Sequence, residues 1–134
     1  MSADAIHRAV ERMNAGDLDG YMEVYADDVE LHGYPPGVEG REGARAFYTQ
    51  FHAAFPDLRL EVFETVEQDD LVAARYAFSG THSAEFFGVP ATGREVRVDG
   101  MSIFRFRDGR IATRWQSMDA AGLLMQLGAL PAPA

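Results

Sequence analysis

Asp108-Gly109 separates two runs of alternating residues, Glu95 to Arg107 and Arg110 to Met118. An Asp-Gly pair in that setting predicts a β-hairpin, because a type I′ turn needs positive φ at both central residues. A two-residue loop pairs Arg107 with Arg110, and the ladder then pairs Phe106 with Ile111, Phe104 with Thr113, Ser102 with Trp115, Gly100 with Ser117 and Val98 with Asp119. One face reads Val96, Val98, Gly100, Ser102, Phe104, Ile111, Thr113, Trp115, Ser117 and Asp119, the pattern of a cavity wall. The other reads Arg97, Asp99, Met101, Ile103, Arg105, Ala112, Arg114, Gln116 and Met118, a solvated sheet face or a dimer surface.

The period differs upstream. Ile6, Val10 and Met13 recur at helical spacing and stop before Asn14-Ala15-Gly16, and a second short helix places Leu18, Tyr21, Met22 and Tyr25 on one face. Val29 to His32 alternates as a short strand before the loop Gly33-Tyr34-Pro35-Pro36-Gly37. A third helix, about Gly40 to Phe55, turns Ala44, Phe47, Phe51 and Phe55 inward and ends at Pro56-Asp57. From Leu58 the period is two through Val62; a turn at Glu67–Asp70 precedes a long strand from Leu71 to His82. Ala120 to Leu127 is a terminal helix stopped by Gly128, and Pro131–Ala134 is a frayed tail. Helices first and an antiparallel sheet afterwards predict a single α+β domain over residues 1–134, its curved sheet wrapped around the helices.

Composition removes several function classes. The sequence has no cysteine, so disulfides, thiolate nucleophiles and cysteine-held metals are out of reach. A net charge of −9 repels nucleic acid and anionic membranes. No apolar run approaches the roughly 20 residues that span a bilayer, and no secretory signal opens the chain, so a cytoplasmic protein is expected. The four histidines have no metal-ligand spacing, and no GxGxxG or phosphate loop is present; neither a metal nor a nucleotide cofactor is expected.

Phe51–Leu58, Gly80-Thr81-His82, Phe87–Gly93, Phe104–Ile111, Trp115, Asp119 and Gln126-Leu127-Gly128 form a set that spans nearly the whole chain. Together these segments resemble the SnoaL-like polyketide cyclases, a branch of the cone-shaped α+β barrels that include nuclear transport factor 2 and ketosteroid isomerase. The resemblance implies a cone closed by the sheet, a pocket at one end, a homodimer, and intramolecular aldol ring closure of a polyketide ester without metal or Schiff-base lysine. It also implies that Asp119 is the general acid/base and that His82 lines the pocket. A non-catalytic binding or dimerisation module, and a hydrolase or isomerase on the same cone, are the alternative readings.

The residues themselves carry a plainer reading beside each role. Asp119 precedes a helix and fits an N-cap bonded near Gly122, while an apolar cone would raise its pKa and make it a usable acid. His82 follows Val72, Ala74, Tyr76 and Phe78 in strand parity, so it points inward, either as a hydrogen-bonded structural residue or into the site. Trp115 opposite Ser102 could stack on a flat aromatic substrate, with Phe104 on the same wall, so an apolar or aromatic small molecule is the expected partner. His32, Tyr34 and Phe87 fit the pocket mouth, where each also has an ordinary surface or packing explanation, as do Tyr48 and Phe86. Arg75 in mid-strand calls for an ion pair with Glu64 or Glu61.

Overall fold

A computed structural model of the chain describes residues 2–130; the expected tail at Pro131–Ala134 lies outside them. The elements are α1 (Ser2–Asn14), α2 (Leu18–Met22), β1 (Tyr25–His32), α3 (Gly40–Ala54), β2 (Arg59–Gln68), β3 (Leu71–Thr81), β4 (Glu95–Arg107), β5 (Arg110–Met118) and α4 (Ala120–Gln126). The α+β order follows the switch of period at Leu58. Tyr25 opens β1 instead of continuing the second helix.

One curved five-stranded sheet has the order β1-β5-β4-β3-β2. It is not closed: β1 and β2 remain its edges, so the expected closed cone is an open half-cone. Helix α1 packs against β2 and α3 against β1, filling the concave side. The sheet is also mixed, since β1 runs parallel to β5 while every other pair is antiparallel. The connection permits parallel pairing, because α3, β2, β3 and β4 all intervene between β1 and β5.

The concave face is laid down by alternation. On β4 every second residue from Val96 to Phe106 is buried, and on β3 Val72, Ala74, Tyr76 and Phe78 turn the same way. Phe51, Phe55, Phe78 and Phe86 form an aromatic cluster in the core, with the Phe51 and Phe78 rings 4.8 Å apart and edge-on.

The hairpin begins as expected and then departs from it. Asp108 and Gly109 have φ of 52° and 78°, and Arg107 pairs with Arg110 and Phe106 with Ile111. Arg105 next pairs with Thr113, so Ala112 is an extra residue and β5 bulges there. From that point the register is shifted by one: Phe104 faces Arg114, Ile103 faces Trp115 and Ser102 faces Gln116. Arg114 and Gln116 therefore turn into the concave side, and Trp115 turns out, where it is 39% exposed.

Candidate functional site

The concave face and the helices enclose a largely apolar cavity. Ile6 and Ala9 of α1, Phe47 and Phe51 of α3, Leu60 and Val62 of β2, and Phe104 and Ile111 supply apolar walls; Tyr34, Pro35 and Phe87 also line it. The space between the walls, counting the solvent-open mouth, is about 870 Å³.

Polar groups gather around Arg114. Its Nη1 donates to the hydroxyls of Tyr25 at 2.6 Å, Tyr48 at 2.9 Å and Tyr21 at 3.3 Å. Its Nη2 reaches Gln116 Oε1 at 2.9 Å and Ser102 Oγ at 3.1 Å, and its Nε reaches the same Ser102 Oγ at 3.2 Å. Gln116 Nε2 in turn donates to the Tyr76 hydroxyl. The Phe104 ring lies 4.9 Å from the guanidinium carbon. Arg114 is 7% exposed, and among the described residues no carboxylate lies in ion-pair range of it.

A buried cation without a counter-ion is costly unless its donors are satisfied. Here hydroxyl and amide oxygens do that. Burial disfavours the charge of Arg114, but the phenol oxygens around it, Tyr25 foremost, outweigh burial and raise its pKa further. Burial likewise pushes Tyr21, Tyr34 and Tyr48 well above the usual phenol value. The wall is thus one fixed positive charge in a shell of neutral phenols, and among the described residues no Asp, Glu or His lines the cavity.

The residues singled out from sequence fall into three groups. Tyr34, Phe87 and Phe104 line the cavity. Tyr34 is bonded at 2.6 Å to Tyr48, and Phe87, at φ 51°, stacks on Phe86 with ring centres 4.4 Å apart. Ser102 stands one layer behind, holding Arg114 and bonding Gln116. His32, Trp115, His82 and Asp119 lie outside the lining.

His32 and Trp115 stack on each other on the convex face, ring centres 5.7 Å apart. His82 is fully buried, its ring 5.6 Å from Phe55; Nδ1 accepts from the Thr92 backbone N–H at 3.2 Å, and Nε2 has no partner among the described residues. Asp119 is exposed, and its Oδ1 accepts from the Gly122 N–H at 2.8 Å, the geometry of an N-cap on α4. Arg75 does pair with Glu64, at 2.8 Å, but on the solvent side of the sheet.

The segments around His82 form a clasp. Asp57 accepts from the backbone N–H and hydroxyl of Thr81 at 2.7 and 2.8 Å, which holds its carboxyl below the usual range. Ser83 N–H donates to the Ala54 carbonyl at 2.7 Å. A Cβ at Gly80 would sit 3.1 Å from Phe55 Cβ, so the glycine lets β3 approach the end of α3 closely. The clasp fixes α3, and with it Phe47, Tyr48 and Phe51, against the cavity.

Residues 3–127 match the family described as SnoaL-like polyketide cyclase. The chain belongs to that family. Aklanonic acid methyl ester cyclase DnrD of Streptomyces peucetius is 32% identical over 130 residues, covering 93% of this chain and 89% of that protein. The solved structure of TsrD from Streptomyces laurentii superposes with a TM-score of 0.87 at 31% identity, covering 96% of this chain and 95% of the other. IdmH from Streptomyces antibioticus gives a TM-score of 0.81 at 38% identity, covering 96% and 99%.

Sequence reasoning passed over Arg114 and Gln116, which it placed on the outer face. Their signal was present in part: an arginine between Thr113 and Trp115 in an otherwise apolar run, and tyrosines at Tyr21 and Tyr25 one helical turn apart. What could not be read was the bulge, because Ala112 is small enough to suit either face.

Proposed function

We propose that this SnoaL-like chain closes a ring in an apolar polyketide ester by intramolecular aldol addition, using side chains alone and working in the cytoplasm. An α-carbon gives up a proton, the resulting enolate carbon attacks a ketone of the same molecule, and the new alkoxide takes a proton, so the product is an isomer of the substrate. The observation that carries the reading is an apolar cavity with a single wall of hydrogen-bond donors. Apolar walls fold the chain into a reactive shape, and the donor wall receives the oxygens that gain charge. The sequence contains no lysine, which leaves no Schiff-base route.

Aklanonic acid methyl ester, the compound in the name of the 32% identical cyclase, is the first substrate to try. Conversion at constant mass with one ketone fewer supports ring closure; tight binding of such esters with no conversion overturns it. Asp119 enters the proposal as the proton carrier that the family resemblance implies. It follows Met118, which lines the cavity, so its carboxylate would have to leave the α4 cap to reach a substrate. Asp119→Asn tests this: lost turnover with retained binding supports the acid/base role. Unchanged turnover with a stability loss of about 1 kcal/mol assigns Asp119 to the cap alone.

The absence of any carboxylate from the lining favours a second reading, a binding module that holds such molecules without changing them. A hydrolase would need an acid–base pair in the cavity and has less support. We further propose a homodimer through the convex sheet face, where Met101, Ile103 and Trp115 are exposed together.

A further inference from the structure

The polar wall has more hydrogens to give than its own oxygens receive. Five phenols meet there, Tyr21, Tyr25, Tyr34, Tyr48 and Tyr76. One O–H joins Tyr21 to Tyr25 at 2.7 Å and one joins Tyr34 to Tyr48 at 2.6 Å. The Tyr76 oxygen accepts from Gln116. Two of the five phenolic hydrogens are thus used, and three have no acceptor among the described residues. Ser102 gives its hydrogen to Gln116, and Arg114 has only donors. A surplus of donors around a buried positive charge, with no carboxylate in the lining, is the complement of a planar anion with delocalised oxygens.

The pairing of the phenols also matters. Arg114 donates to Tyr48, and Tyr48 is bonded to Tyr34, so a Tyr48 hydrogen given to Tyr34 leaves the Tyr34 hydrogen free at the cavity wall. The same count holds for Tyr25 and Tyr21. Each pair therefore relays the guanidinium's polarisation to a hydroxyl that a ligand can reach. Direct contact with the guanidinium is not required.

We propose that Arg114 and its tyrosines form an enolate site, selecting ligands that carry a β-diketone and holding them as the enolate. The step is a proton loss: the C–H bond between the two carbonyls breaks, its electron pair delocalises onto the two oxygens, and the proton passes to solvent. The surplus phenolic hydrogens bond the oxygens, and Arg114 balances the charge. The inference rests on the reading of the cavity as the ligand site, and it adds the chemical class and the charge state of what binds there. It gives Arg114 a positioning role through the phenols that touch the ligand.

Benzoylacetone is a suitable probe, because its enolate absorbs at longer wavelength than its neutral form. Bound to the wild-type protein it should ionise about one to three pH units lower than free in solution, and its methyl enol ether, which cannot ionise, should bind at least about tenfold more weakly where the dione is ionised. Arg114→Met should abolish the shift and Arg114→Lys retain part of it, with thermal melts reporting whether each variant folds. Should Arg114→Met not fold, the wild-type titration and the lysine variant still decide. Equal ionisation of bound and free dione, equal affinity for the enol ether, or no saturable binding overturns the proposal. A shifted ionisation with no turnover of polyketide esters leaves the enolate site standing and removes ring closure; turnover without the shift does the reverse.

Discussion

Neutral phenols packed around a guanidinium make the protein's stability depend on alkaline pH. In the unfolded chain Tyr21 and Tyr48 lose their protons near pH about 10, whereas burial raises both well above that value in the folded state. Above about pH 10 the unfolded state therefore binds fewer protons than the native one. Stability is complete below that pH and falls as pH rises toward the folded values. Tyr48→Phe removes one titrating group, so its loss of stability between about pH 9 and 11 should be shallower than the wild type's. At neutral pH the same variant should be about 1–3 kcal/mol less stable, from the lost bond to a charged group. Urea melts across that range check both; parallel slopes would show that Tyr48 does not titrate on unfolding. Tyr21 was legible in the sequence as apolar bulk on a helical face and Tyr48 as a residue of the pocket mouth or of ordinary packing, since a phenol shows its polar role only beside its partner. Asp119 shows the converse: a carboxylate before Ala120-Ala121-Gly122 satisfies the pattern of a cap and of a catalytic acid equally, and its bond to Gly122 N–H establishes the cap, leaving the acid role to the Asp119→Asn assay.

At the level of elements, alternation located β4 and β5 to the residue, and the Asp-Gly turn fixed their first two pairs. The bulge at Ala112 then exchanged the faces of every later β5 residue, because strand side chains have a period of two. Nothing local marks that bulge; the pressure for it comes from β4, where Gly100 and Ser102 leave room for Arg114, Gln116 and Tyr76. Gly100 pairs with Tyr76 across the β3–β4 ladder, and a Cβ at Gly100 would lie 2.6 Å from the Tyr76 hydroxyl. Gly100→Ala should push the phenol off Gln116, cost about 1–3 kcal/mol through overpacking, and weaken ligand binding without altering the far end of the hairpin. A denaturation curve coincident with the wild type's would mean that the ring relaxes without strain. The parallel pairing of β1 was equally hidden, for the apolar alternation that makes a strand does not state its direction.

For the whole molecule, an open sheet that buries its concave face leaves the convex face to be explained. Ile103 and Trp115 are cross-strand neighbours there, Met101 lies two residues along, and these three are 46%, 39% and 63% exposed. Around them the face alternates in charge, with Arg97 near Asp99 at 3.8 Å and Arg105 paired with Asp70 at 2.9 Å. A two-fold axis through the apolar centre would set these apolar residues and their paired charges against the same surface of a second copy, the isologous contact of a symmetric dimer. The charge of −9 opposes association in general, so a dimer would require this local match to outweigh long-range repulsion. It follows that dimerisation should strengthen with added salt up to a few hundred millimolar, as screening removes the repulsion between protomers while the apolar contact persists. Ile103→Glu places a charge at the centre of the patch and should give a monomer by sedimentation, with the single tryptophan's fluorescence shifted to the red relative to the dimer and the cavity's affinity for benzoylacetone retained. A wild type that sediments as a monomer at all concentrations, or an Ile103→Glu variant that remains a dimer, would place the interface elsewhere or remove it. Retained affinity in the monomer would then locate the whole site within one chain, as expected of a cavity whose lining is supplied by α1, α2, α3 and the concave sheet of a single protomer.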